Sequence, residues 1–233
     1  MATLYYQHGE IPVAHQRFEA IVKEHPSSKQ AIPSAFRVLN ILELSGETQK
    51  FSETARWMLA RGPRDAKFQA TVGTIVRGTE FKQIEELETK QNYALAGEKY
   101  LQYCSKHGES DRALYEKALY NAAVNFDKSG QKIQSLRTDE MFITRFPKSP
   151  FAPEIALRLA KNYELVADHH SARRAYESFA LNHPSHAQAI NSLRMAALHA
   201  QAENDFSQSE NILKSGLKLF PAHKEMLNDD PSA

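Results

Sequence analysis

A single cysteine, Cys104, leaves this 233-residue chain unable to form an internal disulfide or a cysteine-based metal site. That is compatible with the cytosol or the periplasm and excludes a disulfide-stapled scaffold. Net charge is equally scarce: 29 Lys and Arg stand against 28 Asp and Glu, a formal +1, with both signs interspersed throughout. Neither a general attraction to nucleic acid nor one to an anionic membrane follows from such a balance. No apolar run approaches the roughly 20 residues that cross a bilayer. The opening MATLYYQHGEIP lacks the basic and apolar segments of a secretory signal. The nine glycines are scattered at turns, so no glycine-rich phosphate loop and no Gly-x-Ser-x-Gly elbow is present. What remains is ordinary globular material, 42% hydrophobic and 24% charged, enough for a buried core and against wholesale disorder.

The organisation lies in its prolines. Pro26, Pro63, Pro147, Pro184 and Pro221 each follow an apolar helical run, and all but the second interval are 37 residues. Gly108 divides that long interval. Both residues stop helices, proline by lacking the amide and glycine by accepting the left-handed cap. Twelve residues before each stop sits a small residue, eight before it a bulky one, and five before it usually another. The sets are Ala14/Phe18/Ile21, Ala96/Tyr100/Tyr103, Ala172/Tyr176/Phe179 and Ser209/Leu213/Gly216. Steps of four and three place each set on one helical face. The small residue lets two helices approach, so each set reads as the second helix of a hairpin. First helices carry Leu39/Leu42, Ala123/Phe126, Ala160/Tyr163 and Ala197/Ala200, with turns at Gly9, Gly46 and Gly130.

This spacing resembles the tetratricopeptide repeat. The resemblance implies an all-α fold, a right-handed α-solenoid of antiparallel helix pairs, in one domain over 1–233. Its units run approximately 1–28, 32–65, 66–110, 116–149, 153–186 and 190–223. The period exceeds 34 residues because of the proline-serine links HPSSKQA (25–31), FPKSPFAPEIA (146–156) and HPSHAQA (183–189). In these links the chain is similar to tetratricopeptide proteins of bacterial envelopes, such as outer-membrane assembly lipoproteins and cell-division coordinators. Periplasm or envelope is accordingly the expected location.

Four departures bear on the structure. Phe51 and Ala55 swap the small and bulky positions, Asp139 occupies an aromatic slot, and Arg64–Lys90 reads either as one long helix or as two broken near Gly78. An unpaired buried carboxylate is expensive, so Asp139 requires a register shift, solvent or a partner. The fourth departure is at the ends, where the first helix begins partway through its unit. This suggests a window from a longer array, and 222–233 could begin another helix.

Chemistry-bearing clusters are weak. His169-His170 and His183-Pro-Ser-His186 lack the helical spacing of a metal site and read as solvated loop histidines. Cys104 reads as a half-buried hydrophobe, and Glu85-Glu86 and Asp229-Asp230 as exposed charge. No catalytic residue, metal or cofactor is expected. In the tetratricopeptide family the first helices form the concave wall. Carrying its groove positions onto this frame gives Phe36, Phe81, Tyr120, Leu157 and Arg194 at the fifth position, with Asn40, Glu85, Lys117, Val124, Arg158, Lys161, Asn191 and Leu198 nearby. The apolar members form a stripe that either anchors a ligand or packs against the next repeat. The expected partner-binding set is Phe36, Asn40, Phe81, Lys117, Tyr120, Val124, Arg158, Lys161, Asn191 and Arg194. The expected function is a non-catalytic scaffold binding peptide or helix segments of other proteins in its concave groove, without nucleic acid or membrane insertion. Two alternatives are the helical arm of a larger enzyme and a self-associating module.

Overall fold

One hydrogen bond recurs at each hairpin turn and sets the architecture. The amide of Glu10 donates to the carbonyl of Tyr5, Glu47 to Leu42, Asn92 to Leu87, Gln131 to Phe126, Asp168 to Tyr163 and Asp205 to Ala200. Immediately before each donor stands a residue in the left-handed region: Gly9, Gly46, Gln91, Gly130, Ala167 and Asn204, with φ between 58° and 78°. A bond spanning five residues across a left-handed position is the Schellman closure, which ends one helix and aims the chain back along it. Three of the six use glycine. Gln91, Ala167 and Asn204 accept the left-handed conformation at a cost that glycine avoids.

The computed structural model describes residues 1–221, apart from the side chains at 109 and 110. The tail 222–233, including Asp229-Asp230, lies outside the described residues. Twelve α-helices are present among those described: α1 (Ala2–Gln7), α2 (Ile11–Glu24), α3 (Ala31–Leu44), α4 (Thr48–Arg61), α5 (Ala66–Thr89), α6 (Tyr93–His107), α7 (Arg112–Lys128), α8 (Lys132–Arg145), α9 (Ala152–Leu165), α10 (His169–Asn182), α11 (Ala189–Ala202) and α12 (Phe206–Leu219). A short 3-10 turn, Gly108–Asp111, joins α6 to α7. Among the described residues the fold is all-α, built from antiparallel helix hairpins.

The backbone divides into two compact units, Met1–Glu86 and Leu87–Ala233. In the first, α1 to α4 pack each on the next, and the first half of α5 adds Phe68, Val72 and Val76 to their core. In the second, α6 to α12 pack each on the next. Its last core cluster joins Ala160, Tyr176, Leu193, Ala197 and Ile212 from α9 to α12.

The proline links share one conformation. His25, Phe146, His183 and Phe220, each preceding a proline, have φ between −132° and −127° and ψ between 53° and 60°. Proline bars its predecessor from the helical region, which explains the uniformity. The link then steps in threes. Ser28 bonds His25 and Ala31 bonds Ser28; Ser149 bonds Phe146 and Ala152 bonds Ser149; His186 bonds His183 and Ala189 bonds His186. These ordered steps hold the residues that lengthen the period.

The departures resolve physically. Residues 64–90 contain one uninterrupted 24-residue helix, α5, with no break at Gly78. In α4 the swapped pair leaves Phe51 half-buried, while Ser52, Ala55 and Met58 are fully enclosed. At the first unit α1 has only six residues.

Two helix glycines make opposite demands. A Cβ on Gly97 would stand 2.8 Å from the ring of Phe126, whereas one on Gly78 meets nothing within 4 Å. Alanine is favoured over glycine in a helix by about 1 kcal/mol, but overpacking costs roughly 1–3 kcal/mol. Gly78→Ala should therefore raise the urea midpoint by the equivalent of about 0.5–1 kcal/mol, and Gly97→Ala should lower it. Equilibrium unfolding followed by circular dichroism checks both.

Candidate partner-binding grooves and the polar seam beside them

A groove lies at the same place in the repeat in both units. The first is lined by Phe36, Asn40 and Glu43 of α3 with Phe51 and Ile75 opposite, around about 450 Å³. The second is lined by Leu157, Lys161 and Glu164 of α9 with Tyr176, Gln188, Asn191 and Met195, around about 430 Å³. Phe36, Asn40 and Glu43 are each 121 positions before Leu157, Lys161 and Glu164. Both grooves thus use positions five, nine and twelve of a first helix, which lie on one face at helical spacing. The chemistry differs. The first presents an aromatic edge, with Phe36 37% exposed and its ring inclined at 67° to that of Phe68, centroids 5.4 Å apart. The second presents an exposed ammonium, Lys161, over an apolar floor.

Four of the ten expected partner-binding residues therefore line grooves: Phe36 and Asn40 in one unit, Lys161 and Asn191 in the other. Lys117 is exposed, and Val124 and Arg194 are half-buried. Tyr120 is half-buried and engaged, its hydroxyl donating to Glu154 at 3.1 Å and its ring lying 4.6 Å from Phe151. Burial and the Glu154 carboxylate raise its phenol above the ordinary range. Two members are corrected. Phe81 is 3% exposed and belongs to the interior. Arg158 is spent inside the fold, because Asp139 takes its guanidinium.

That pair answers the question posed by Asp139. Ser135, Asp139 and Phe142 keep the register of α8 and are all fully enclosed. Arg158 of α9 reaches back with two bonds, Nη2 to Oδ1 at 2.6 Å and Nε to Oδ2 at 3.1 Å. Beside them Asn162 donates to the Ser135 hydroxyl at 3.2 Å, and Ser135 to the carbonyl of Ala123 at 3.4 Å. The aromatic slot has become a polar seam joining α7, α8 and α9. Burial pushes the Asp139 carboxyl up to about 6, with Arg158 working against it. A carboxyl raised from 3.8 contributes stability that is full below the free value and is lost as pH rises through 6. At neutral pH the pair therefore specifies register more than it stabilises.

The sequence missed Glu164, Tyr176, Gln188 and Met195 as groove residues. Glu164 was available, three residues past Lys161 on the same face. The others come from α10, α11 and the link before α11, and only packing brings them there. Of the four histidines read as solvated, His170 and His186 are exposed, while His169 and His183 are half-buried. His183 and His186 lie 5.4 and 5.1 Å from the Phe179 ring, and burial lowers the His183 pKa. Cys104 is buried, its Sγ 3.8 Å from the Tyr115 carbonyl, and burial pushes its thiol up to about 12. Among the described residues no group of three or more His, Cys, Asp or Glu is placed to hold a metal ion. No described helix is long and apolar enough to cross a membrane.

No protein-family model matches the chain, and no curated protein matches it. Solved structures are similar in outline. A putative kinesin light chain with nearly identical TPR-like repeats from Podosopora anserina shares 14% identity over 86% of this chain and 99% of its own, with a TM-score of 0.45. MamA from Desulfovibrio magneticus RS-1 shares 11% over 82% and 96%, with a TM-score of 0.44. PilF of Pseudomonas aeruginosa shares 17% over 97% and 91%, with a TM-score of 0.41. The likeness is one of helical architecture, and the six hairpin turns establish the repeat independently.

Truncating one partner of a buried ion pair strands the other and costs about 3–5 kcal/mol, whereas replacing both with apolar groups is often close to neutral. Asp139→Ala should lower unfolding stability by about 3 kcal/mol, and Asp139→Leu with Arg158→Met should recover most of that loss. Denaturant unfolding of the two variants at pH 7 provides the measurement.

Proposed function

We propose that the chain is a non-catalytic adaptor that holds peptide or helix segments of other proteins in its hairpin grooves. The observation that carries this reading is the second groove. Lys161 is exposed, makes no ion pair among the described residues, and lines the groove together with Leu157, Leu165 and Met195. An apolar floor supplies burial, while a free cation and the Asn191 and Gln188 amides orient a ligand, the division of labour of peptide-binding grooves. The first groove offers Phe36 as an aromatic anchor beside Asn40 and Arg37. A segment with an apolar side chain followed by a carboxylate fits the second groove.

Placement in a multiprotein assembly of a bacterial envelope is the finer part of this proposal. It rests on the proline-serine links and is tested by fractionating cells that express the protein from its native gene.

Lys161→Glu with Asn191→Leu changes two exposed side chains and leaves the core untouched. The double variant should keep wild-type helicity and bind at least tenfold more weakly to the protein that the wild type retains from its native source, since two oriented polar contacts are worth about 1 kcal/mol each. Arg174→Glu, in a separate cleft between α9 and α10, should bind as the wild type does. Equal capture by all three proteins overturns the groove assignment.

A further inference from the structure

Behind the second groove, two imidazoles meet. Nδ1 of His169, in the first turn of α10, lies 3.1 Å from Nδ1 of His199, in the last turn of α11. His199 is buried and its ring stacks on Tyr176, centroids 5.8 Å apart and planes 12° apart. The Tyr176 hydroxyl donates to Glu164 Oε2 at 2.7 Å, and that same oxygen lies 3.9 Å from His199 Nε2. Tyr176 and Glu164 both line the groove. A direct chain of contacts therefore runs from the histidine pair to the groove wall.

The bond between two Nδ1 atoms has room for one proton. One ring must donate and the other accept. In one such arrangement His199 carries its proton on Nε2, on the side of Glu164 3.9 Å away, while His169 donates from Nδ1. A third proton on the pair is tolerated at the outer Nε2 of His169, with the bond intact. A fourth puts a hydrogen on both Nδ1 atoms, and the contact must open.

We propose that His169 and His199 form a proton-operated latch between α10 and α11 whose opening on acidification rearranges Tyr176 and Glu164 in the groove wall. Burial, rather than the surrounding charges, keeps the latch closed at neutral pH. Glu164 of α9 faces His199, and Asp168 caps the helix that begins with His169. Glu203, just beyond α11, bonds His170 at 3.2 Å and Arg173 at 3.0 Å. On α12, Lys214 pairs with Glu210 of its own helix. Burial, chiefly, holds His199 below the ordinary imidazole range, with Glu164 and Glu203 opposing and His169 reinforcing. A base lowered on folding contributes stability that is full above about 6.5, its ordinary value, and is lost as pH falls below it. Acid therefore opens the latch.

The consequence for ligand binding rests on the groove reading above, but the latch does not. Ring-nitrogen NMR of the intact chain between pH 8 and pH 4.5, with histidines assigned through single Gln variants, tests it directly. In the wild type, the Tyr176 ring and Met195 methyl signals should move with protonation of His199. His169→Gln should shift that His199 step to higher pH, and His170→Gln should leave it in place. A His199 titration identical in wild type and His169→Gln overturns the latch, as do Tyr176 and Met195 signals that do not respond. Failure of the Lys161 and Asn191 variants to weaken capture would remove the ligand consequence and leave these titrations unaffected.

Discussion

The five-residue closing bond at each hairpin turn is the constraint on which the rest of the structure depends. It fixes where one helix ends and, through a single left-handed residue, the direction and register in which the next begins. Once register is fixed, the small residue twelve positions before the helix stop meets the first helix, and the bulky residue one turn on fills the space beside it. Ala14, Ala96 and Ala172 are all fully buried in this role. The pre-proline caps repeat the same control between hairpins, since a residue barred from the helical region can leave the helix in few ways. Two rigid connections, alternating, make hairpins that cannot enclose their own apolar faces and must stack to do so.

Stacking leaves one degree of freedom per repeat, the choice of side chain at positions where neighbouring hairpins meet. At the junction of α8 and α9 the chain uses that freedom for polarity. Asp139 stands where other units place Tyr100 or Tyr176, and the ion pair it makes draws Arg158 inward. The same choice shapes the surface, because a guanidinium held at 14% side-chain exposure is withdrawn from any ligand. Lys161, three residues on, is left as the accessible cation of the groove. Core specification and surface chemistry are here a single decision.

The repeat was legible in the sequence because its cause is local. Helix stops, small-residue spacing and glycine turns operate within a dozen residues, and proline and glycine signal backbone geometry directly. Gln91 and Ala167 show the limit: both turns are left-handed without glycine, and only the closing bond, imposed by the packed helices, holds them there. Legibility failed more often at the groove. Phe36 and Phe81 both occupy the fifth position expected of a groove, yet Phe81 is interior while Phe36 is partly open, because burial depends on what the neighbouring helix brings. Asp139 was recognisable as an anomaly, but its partner lies 19 residues away on another helix. The histidine pair, 30 residues apart, was hidden behind a more obvious doublet, His169-His170, which draws attention to the wrong neighbour.

The two buried polar contacts differ in what a proton does to them. In the α8–α9 seam a guanidinium meets a carboxylate. The guanidinium stays charged at any physiological pH, so losing the carboxylate charge removes attraction without creating repulsion. Between α10 and α11 two identical bases face each other, each able to take up a proton, and full protonation converts a hydrogen bond into opposed donors and like charges. Burial sharpens this, because the stacked Tyr176 ring offers His199 no alternative polar partner for Nδ1. Position matters as well. The seam ties α8 to α9 through Asp139, Arg158, Ser135 and Asn162, none of which lines the groove, whereas the histidine pair reaches the groove through one tyrosine and one glutamate. A proton taken up there acts on the groove wall directly, and the rest of the fold has no need to move.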